Sequence, residues 1–208
     1  MNWNTITLRQ AQEIERLRRS LKEEEALDAE TKLLAIVMNK TQSEIDSMPW
    51  GEYTEARKVL DFFDNPIEGK PERCINVNGR RYRCVYDIKQ MPFARYIEAK
   101  AFSKDFFQNI HKIAASMVIP QRKRLWYWLD DKYDAARHEE YANDMLDAPF
   151  MAIYNSCVFF YQLFNNWMRG SRDYMIQELM SQGMSQQEAA ELVVGLCNSL
   201  DGNIQQSK

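Results

Sequence analysis

The chain is short of the residues that break backbone regularity and of those that most often do enzyme chemistry. Its 208 residues include seven glycines, six prolines, four cysteines and two histidines. So few helix breakers describe a helix-rich chain. The cysteines, at positions 74, 84, 157 and 197, lie far apart without the Cys-x-x-Cys spacing of a zinc or redox site, so a reducing compartment is the expectation. Neither sign of charge dominates: 27 basic against 30 acidic residues give −3, which builds in no global attraction to nucleic acid or an anionic membrane. The most apolar stretch, Phe150 to Met168, is interrupted by Asn155, Ser156, Gln162, Asn165 and Asn166 and falls short of the roughly 20 clean apolar residues a bilayer span needs, so it reads as a core helix. Met1 to Leu8 has no basic head, apolar run and small-residue cleavage site, which predicts no secretory signal. The sequence contains no glycine-rich phosphate loop, nucleophile elbow or His-Glu-x-x-His.

What is present is apolar bulk. Forty-five per cent hydrophobic residues suffice to bury a core for one ordinary domain or two small ones. Eleven methionines and 12% aromatics add soft, adaptable apolar surface, the material of cores and of binding faces alike.

The pattern along the chain predicts a mainly α fold, a multi-helix domain with one inserted β-hairpin. Thr7 and Gln10 form a capping box opening a charged amphipathic helix through Leu8, Ala11, Ile14, Leu17 and Leu21. The acidic run Glu23 to Glu25 follows as a solvated face or loop. Asp28 is then a candidate N-cap for an apolar helix, Lys32 to Asn39. A second box, Thr41 with Glu44, starts a short turn of helix; Pro49 opens the next, along which Tyr53, Ala56, Val59, Leu60 and Phe63 recur. Residues 1–64 thus form an N-terminal helical module. Asn65-Pro66 and Gly69-Lys70-Pro71 mark a boundary before residues 65–202, the hairpin plus a helical C-terminal region. Asn78-Gly79 accepts the positive φ angles of a type I′ turn and sets Val77 against Arg80 and Ile75 against Tyr82. In that register Cys74 and Cys84 point to opposite faces and cannot pair, and Arg81 and Arg83 take the wetter face. A lone hairpin is marginal, so this one is expected to lie on helices or to add strands from a partner. Helices follow over Phe93 to Phe102 and Phe106 to Val118 (stopped by Pro120), then a helix or turn over Glu139 to Leu146, and a helix over Phe150 to Met168 ended by Gly170. Another begins at Ser171 or Asp173. The box Ser185 with Glu188 starts the final helix, and residues 203–208 form a polar tail.

Three chemistries present themselves. Asp134, His138, Glu139 and Asp144 carry hard-cation ligands at helical spacing, but in a chain 27% charged a solvated helix is the simpler reading, and no metal or other cofactor is expected. The second histidine, His111, sits in a helix beside Ile110 and Ile113. Arg122, Lys123 and Arg124 adjoin Trp126, Tyr127 and Trp128, the ingredients of a nucleic-acid platform. Asp130 and Asp131 follow directly and repel phosphate, so a surface loop or short helix with inward tryptophans is expected, and nucleic acid is not an expected partner. The aromatic and Met residues of the C-terminal third, Phe159, Phe160, Phe164, Trp167, Met168, Met175, Met180 and Met184, suit either a core or a groove for a partner's apolar segment. With little chemistry in view, the chain is expected to bind protein and not to be an enzyme. Trp50, Tyr53 and Trp128 are its candidate contact residues.

The opening Ile6, Thr7, Leu8 and Gln10, the apolar helix Leu33 to Met38, the element Ser43-Glu44-Ile45-Asp46 and the helix Tyr53 to Phe63 together resemble small assembly proteins of tailed bacteriophages. The hairpin, Tyr96, the helix with Asn109 and His111 ending at Pro120, and Asp144-Met145-Leu146-Asp147-Ala148-Pro149-Phe150 are similar to proteins of phages of Bacteroides-like hosts, including the crAss-like group. The resemblance implies a morphogenesis protein, a tail assembly chaperone that keeps a tape-measure or tail protein soluble until polymerisation. The alternative it leaves is a structural virion component, a connector or ring subunit. Its partners would be tail or other virion proteins or further copies of itself, with no membrane, and its location the host cytoplasm or the virion. The chain is longer than the simplest such chaperones, with a large aromatic C-terminal region.

Overall fold

The computed structural model describes residues 2–20, 26–87 and 105–203. The acidic run Glu23 to Glu25, the helix expected over Phe93 to Phe102 with Tyr96, and residues 204–208 of the polar tail lie outside the described residues, as do the side chains of Phe164, Trp167, Met168 and Cys197. Two compact units are present, one from the described residues of Met1–Val85 and Pro92–Val158, the other from those of Tyr86–Met91 and Phe159–Lys208.

In the first unit the helices are α1 (Leu8–Ser20), α2 (Ala26–Met38), α3 (Gln42–Asp46) and α4 (Trp50–Arg57), which tightens into a 3₁₀ segment, Lys58–Asp64. Their starts follow local chemistry. Thr7 N–H donates to Gln10 Oε1 (2.9 Å) while Gln10 N–H donates to Thr7 Oγ1 (3.2 Å), and Thr41 with Glu44 closes the same reciprocal box. Asp28 is not a cap: it lies within α2, where its carboxylate pairs with Lys32 and accepts from Gln42. The helix ends on Asn39 at φ +54°, with Lys40 N–H reaching back to Ala35 O (2.9 Å). Leu34, Ala35 and Ile45 form a small core that Met38, Met48, Tyr53, Ala56 and Leu60 cover.

Two segments far apart in sequence are joined here. Leu8 N–H donates to Ala148 O and Phe150 N–H to Ile6 O, both 2.9 Å, as an antiparallel bridge at Thr7 and Pro149. Trp3 packs edge-on against Phe62 (5.0 Å) beside it. Residues 65–73 lie against the start of the long C-terminal helix. A Cβ on Gly69 would stand 2.2 Å from Asn155 Nδ2, and Glu72 N–H donates to Ser156 Oγ (3.0 Å).

The expected hairpin forms as β1 (Cys74–Val77) and β2 (Arg80–Cys84), with Ile75 opposite Tyr82, Val77 opposite Arg80, and both Asn78 and Gly79 at positive φ. Tyr82 and Cys84 are buried, Cys74 lies on the other face, and Cys74, Cys84 and Cys157 are free thiols. The hairpin is not alone. After α5 (Phe106–Met117) the chain enters β3 (Val118–Arg124), turns at Leu125-Trp126 and returns as β4 (Tyr127–Asp130), completing an antiparallel sheet in the order β1-β2-β3-β4. The fold is mainly α with minor β, and the loop or short helix expected around Trp126 is a second hairpin. Pro120 sits in an inner strand without breaking it because its carbonyl, which accepts from Asp131 N–H (2.8 Å), points to the side where β4 has just ended. The missing N–H therefore leaves no ladder partner stranded.

A 3₁₀ turn, Ala135–Arg137, leads into α6 (His138–Asp147), which packs on α5. The last helices are α7 (Phe150–Ser181), within which the boundary between the units falls, and α8 (Gln186–Asn203). Gly170 does not end a helix, contrary to expectation. It lies inside α7 with open space where a Cβ would be, a cost of about 1 kcal/mol relative to alanine that a long helix absorbs. The true stop is Gly183 at φ +96°, where Met184 N–H bonds Leu179 O (3.2 Å) and Gly183 N–H bonds Met180 O (3.0 Å). In the second unit Tyr86 meets Phe159 edge-on (5.1 Å), and Phe160, Ala189 and Val193 are fully buried.

Candidate binding site

Trp50, Tyr53 and Trp128 stand on two separate elements. Trp50, at the first position of α4, is 80% exposed and stacks on Tyr53 at 5.9 Å. The Tyr53 hydroxyl donates to Glu30 Oε1 (2.9 Å), which also pairs with Arg57 (2.8 Å); burial, then the Glu30 bond, pushes the phenol pKa up. Tyr53 is thus a half-buried support and Trp50 the open ring above it. Also in the first unit, Trp3, Ile14, Leu33, Phe63 and Ile67 line an open, mostly apolar cleft of about 570 Å³, rimmed by Arg18, Asp64 and Asn65. In the second unit Tyr174, Met175 and Met180 on α7 and Leu192 on α8 are exposed.

Trp128 belongs to the sheet. Alternation places Cys74, Asn76, Arg81, Arg83, Gln121, Lys123, Trp128 and Asp130 on its wetter face. There Arg83 grips Asp130 (2.6 Å), Gln121 donates to Asp130 (2.8 Å), Arg81 donates to Gln121 (3.0 Å), and the Arg81 guanidinium lies 5.2 Å from the centre of the Trp128 ring. Arg83 holds the Asp130 carboxyl below its ordinary range. The opposite face, bearing Ile75, Val77 and Tyr82, turns to α6, where Tyr82 meets Tyr141 edge-on at 5.9 Å. Tyr82 OH donates a short hydrogen bond to Asp144, which also accepts from Asn78 (3.0 Å) and Arg80 (3.0 Å); burial, then the carboxylate, pushes the Tyr82 pKa up. Arg80 also pairs with Glu140, whose carboxyl is pushed down to about 2 by Arg137 and then Arg80. This ion-pair cluster locks the hairpin turn to α6.

No protein-family model matches the chain, and no curated protein or solved structure matches it.

The residues weighed as metal ligands are dispersed on other duties. Asp134 accepts from Ala136 N–H (3.0 Å), His138 Nδ1 bonds the Tyr133 hydroxyl (2.9 Å), Glu139 faces Lys112, and Asp144 serves Tyr82. Among the described residues no group of three His, Cys, Asp or Glu side chains is placed to hold a metal ion. His111 receives Gln12 Nε2 at 3.2 Å on Nδ1, and burial, then Lys112, lowers its pKa to about 4. No helix among the described residues is long and apolar enough to cross a membrane. The inward tryptophans expected in the 122–128 segment are instead exposed: Leu125 and Trp126 form the turn at 74% and 87% exposure, and Trp128 is 39% exposed. The Asn-Gly pair that betrayed the first hairpin has no counterpart in the second, so sequence alone hid the element that presents these rings.

Proposed function

We infer that the chain works by holding an apolar segment of another protein, in the setting the N-terminal pattern implies: a tail assembly chaperone of a tailed phage. The observation that supports this reading most is the set of apolar side chains left open on helices. Trp50 stands free on its Tyr53 support, the cleft walled by Trp3, Leu33 and Phe63 opens close by in sequence on the same module, and Tyr174, Met175, Met180 and Leu192 are exposed on α7 and α8. Open aromatic and Met side chains of this kind are the material of adaptable protein contacts, since they pack against varied partners without a fixed shape. The role needs reversible apolar binding and no bond-making step, and location in the host cytoplasm goes with it.

Co-expression with the tape-measure protein of the same phage tests it. The chain keeps that protein in the soluble fraction, and the Trp50→Ala variant, whose own fold is untouched, does so less well. Equal solubility of the tape-measure protein with and without the chain contradicts the inference.

A further inference from the structure

The β3–β4 hairpin outruns the sheet that carries it. Strand β2 is paired with β3 only over Val118 to Gln121, so from Arg122 to Leu129 the two strands pair with each other alone. These eight residues, Arg-Lys-Arg-Leu-Trp-Tyr-Trp-Leu, hold three cations, three aromatic rings and no carboxylate. Among the described residues no acid pairs with Arg122, Lys123 or Arg124, whereas Arg9, Arg57, Arg80, Arg83 and Arg137 each have a carboxylate. Of the two acids that from sequence stand as repellents to phosphate, Asp130 is neutralised by Arg83, while Asp131 follows the end of β4 and accepts from Lys132 N–H (3.1 Å).

Register gives the ribbon its chemistry. The cross-strand pairs are Arg122 with Leu129, Lys123 with Trp128 and Arg124 with Tyr127, so two cations stand level with rings and the third with an aliphatic side chain. Alternation sends Arg122 and Arg124 to one face and Lys123 to the other, where Arg81 adds a guanidinium against Trp128. A flat single-strand platform concentrates cations and rings on one face, and a bilayer anchor gathers its apolar groups at the tip with cations behind them. Cations on both faces of a narrow ribbon match a groove with a phosphate backbone on each wall. The major groove of duplex DNA admits a two-stranded ribbon. At the tip, Leu125 and Trp126 supply apolar contact for base edges or a base step.

We propose that the Arg122–Leu129 ribbon binds duplex nucleic acid by entering the major groove, with Arg122, Lys123 and Arg124 on phosphates and Leu125 and Trp126 on the bases. This is independent of the protein-holding role, which rests on the helices. With the rest of the chain net acidic, the interaction is confined to the ribbon, and its salt dependence counts the ribbon's own cations.

The test is fluorescence anisotropy of the full chain with a labelled mixed-sequence DNA duplex of about 20 base pairs, the same single strand, and anionic phospholipid vesicles. Three phosphate contacts give a slope of about −2.7 in log affinity against log salt, hence a loss of roughly 40-fold between about 50 and about 200 mM salt. Arg124→Gln lowers the slope by about one third; the triple change of Arg122, Lys123 and Arg124 to Ala removes saturable binding; Trp126→Ala weakens binding at least about fivefold with the slope kept. All these side chains are exposed, so an unchanged melting temperature verifies the fold of each variant. The proposal is overturned by no saturable duplex binding up to about 100 µM protein at about 50 mM salt. It is equally overturned by tighter binding to the single strand or to vesicles than to duplex, or by binding that survives the triple change.

Discussion

Replacing Asp144 with alanine takes one carboxylate away from three donors at once. Tyr82 OH is completely buried, and Asp144 is the acceptor that satisfies it, while Asn78 and Arg80 bond the same carboxylate at 3.0 Å. A buried hydroxyl stranded without an acceptor costs about 1–3 kcal/mol. The half-exposed Arg80, which keeps Glu140, adds no more than about 1 kcal/mol. The expected loss is therefore about 3 kcal/mol, which for a chain of this size lowers the melting temperature by about 6–12 °C. Tyr82→Phe removes the donor instead and costs only about 1 kcal/mol, because Asp144 retains Arg80 and Asn78. In the double variant no hydroxyl is stranded, so its loss falls short of the sum of the two single losses by about 1 kcal/mol or more. Urea and thermal unfolding followed by circular dichroism measure all three. A loss below about 0.5 kcal/mol for Asp144→Ala, or strict additivity, refutes the claim that this carboxylate pins the β1–β2 turn to α6.

His111 makes stability fall in mild acid: its pKa drops from 6.5 to about 4 on folding, so the contribution is full above pH 6.5 and is lost as pH falls toward 4. Discounted for the ring's partial exposure, the loss is about 1 kcal/mol between about pH 7 and about pH 5, and comparison with His111→Gln isolates it. Gly170→Ala stabilises α7 by about 0.5–1 kcal/mol whereas Gly183→Ala, at φ +96°, costs at least about 1 kcal/mol; opposite shifts of the thermal midpoint check the pair. Thiol labelling of the native protein with peptide mapping modifies Cys74 before Cys84 and Cys157, since burial pushes the Cys157 thiol pKa well up and covers Cys84. Trp50→Ala changes stability by less than about 0.5 kcal/mol by the same unfolding assay, because its ring is solvent-exposed.

What could be read from the sequence was what short-range chemistry decides. The boxes at Thr7, Thr41 and Ser185 each close as expected, with Ser185 N–H on Glu188 Oε2 at 3.1 Å, because cap and acceptor lie within one turn. The β1–β2 register follows from Asn78-Gly79 for the same reason. The second hairpin escaped because Leu125 adopts φ +53° without any residue type that announces it, and because Pro120 ordinarily argues against an inner strand. Whether Trp50 and Trp128 face water depends on elements distant in the chain, such as the Arg81 that reaches Trp128, and no local pattern carries that. Asp144 looked like one more acid on a charged helix; its role depends on Tyr82, which only the sheet brings to it.

The measurement that bears most directly on the chaperone reading is quantitative mass spectrometry of the protein in the producing lysate and in purified particles. A transient chaperone is abundant in the lysate and absent from particles. A fixed, integral copy number per particle contradicts that reading and makes the chain a structural component of the virion.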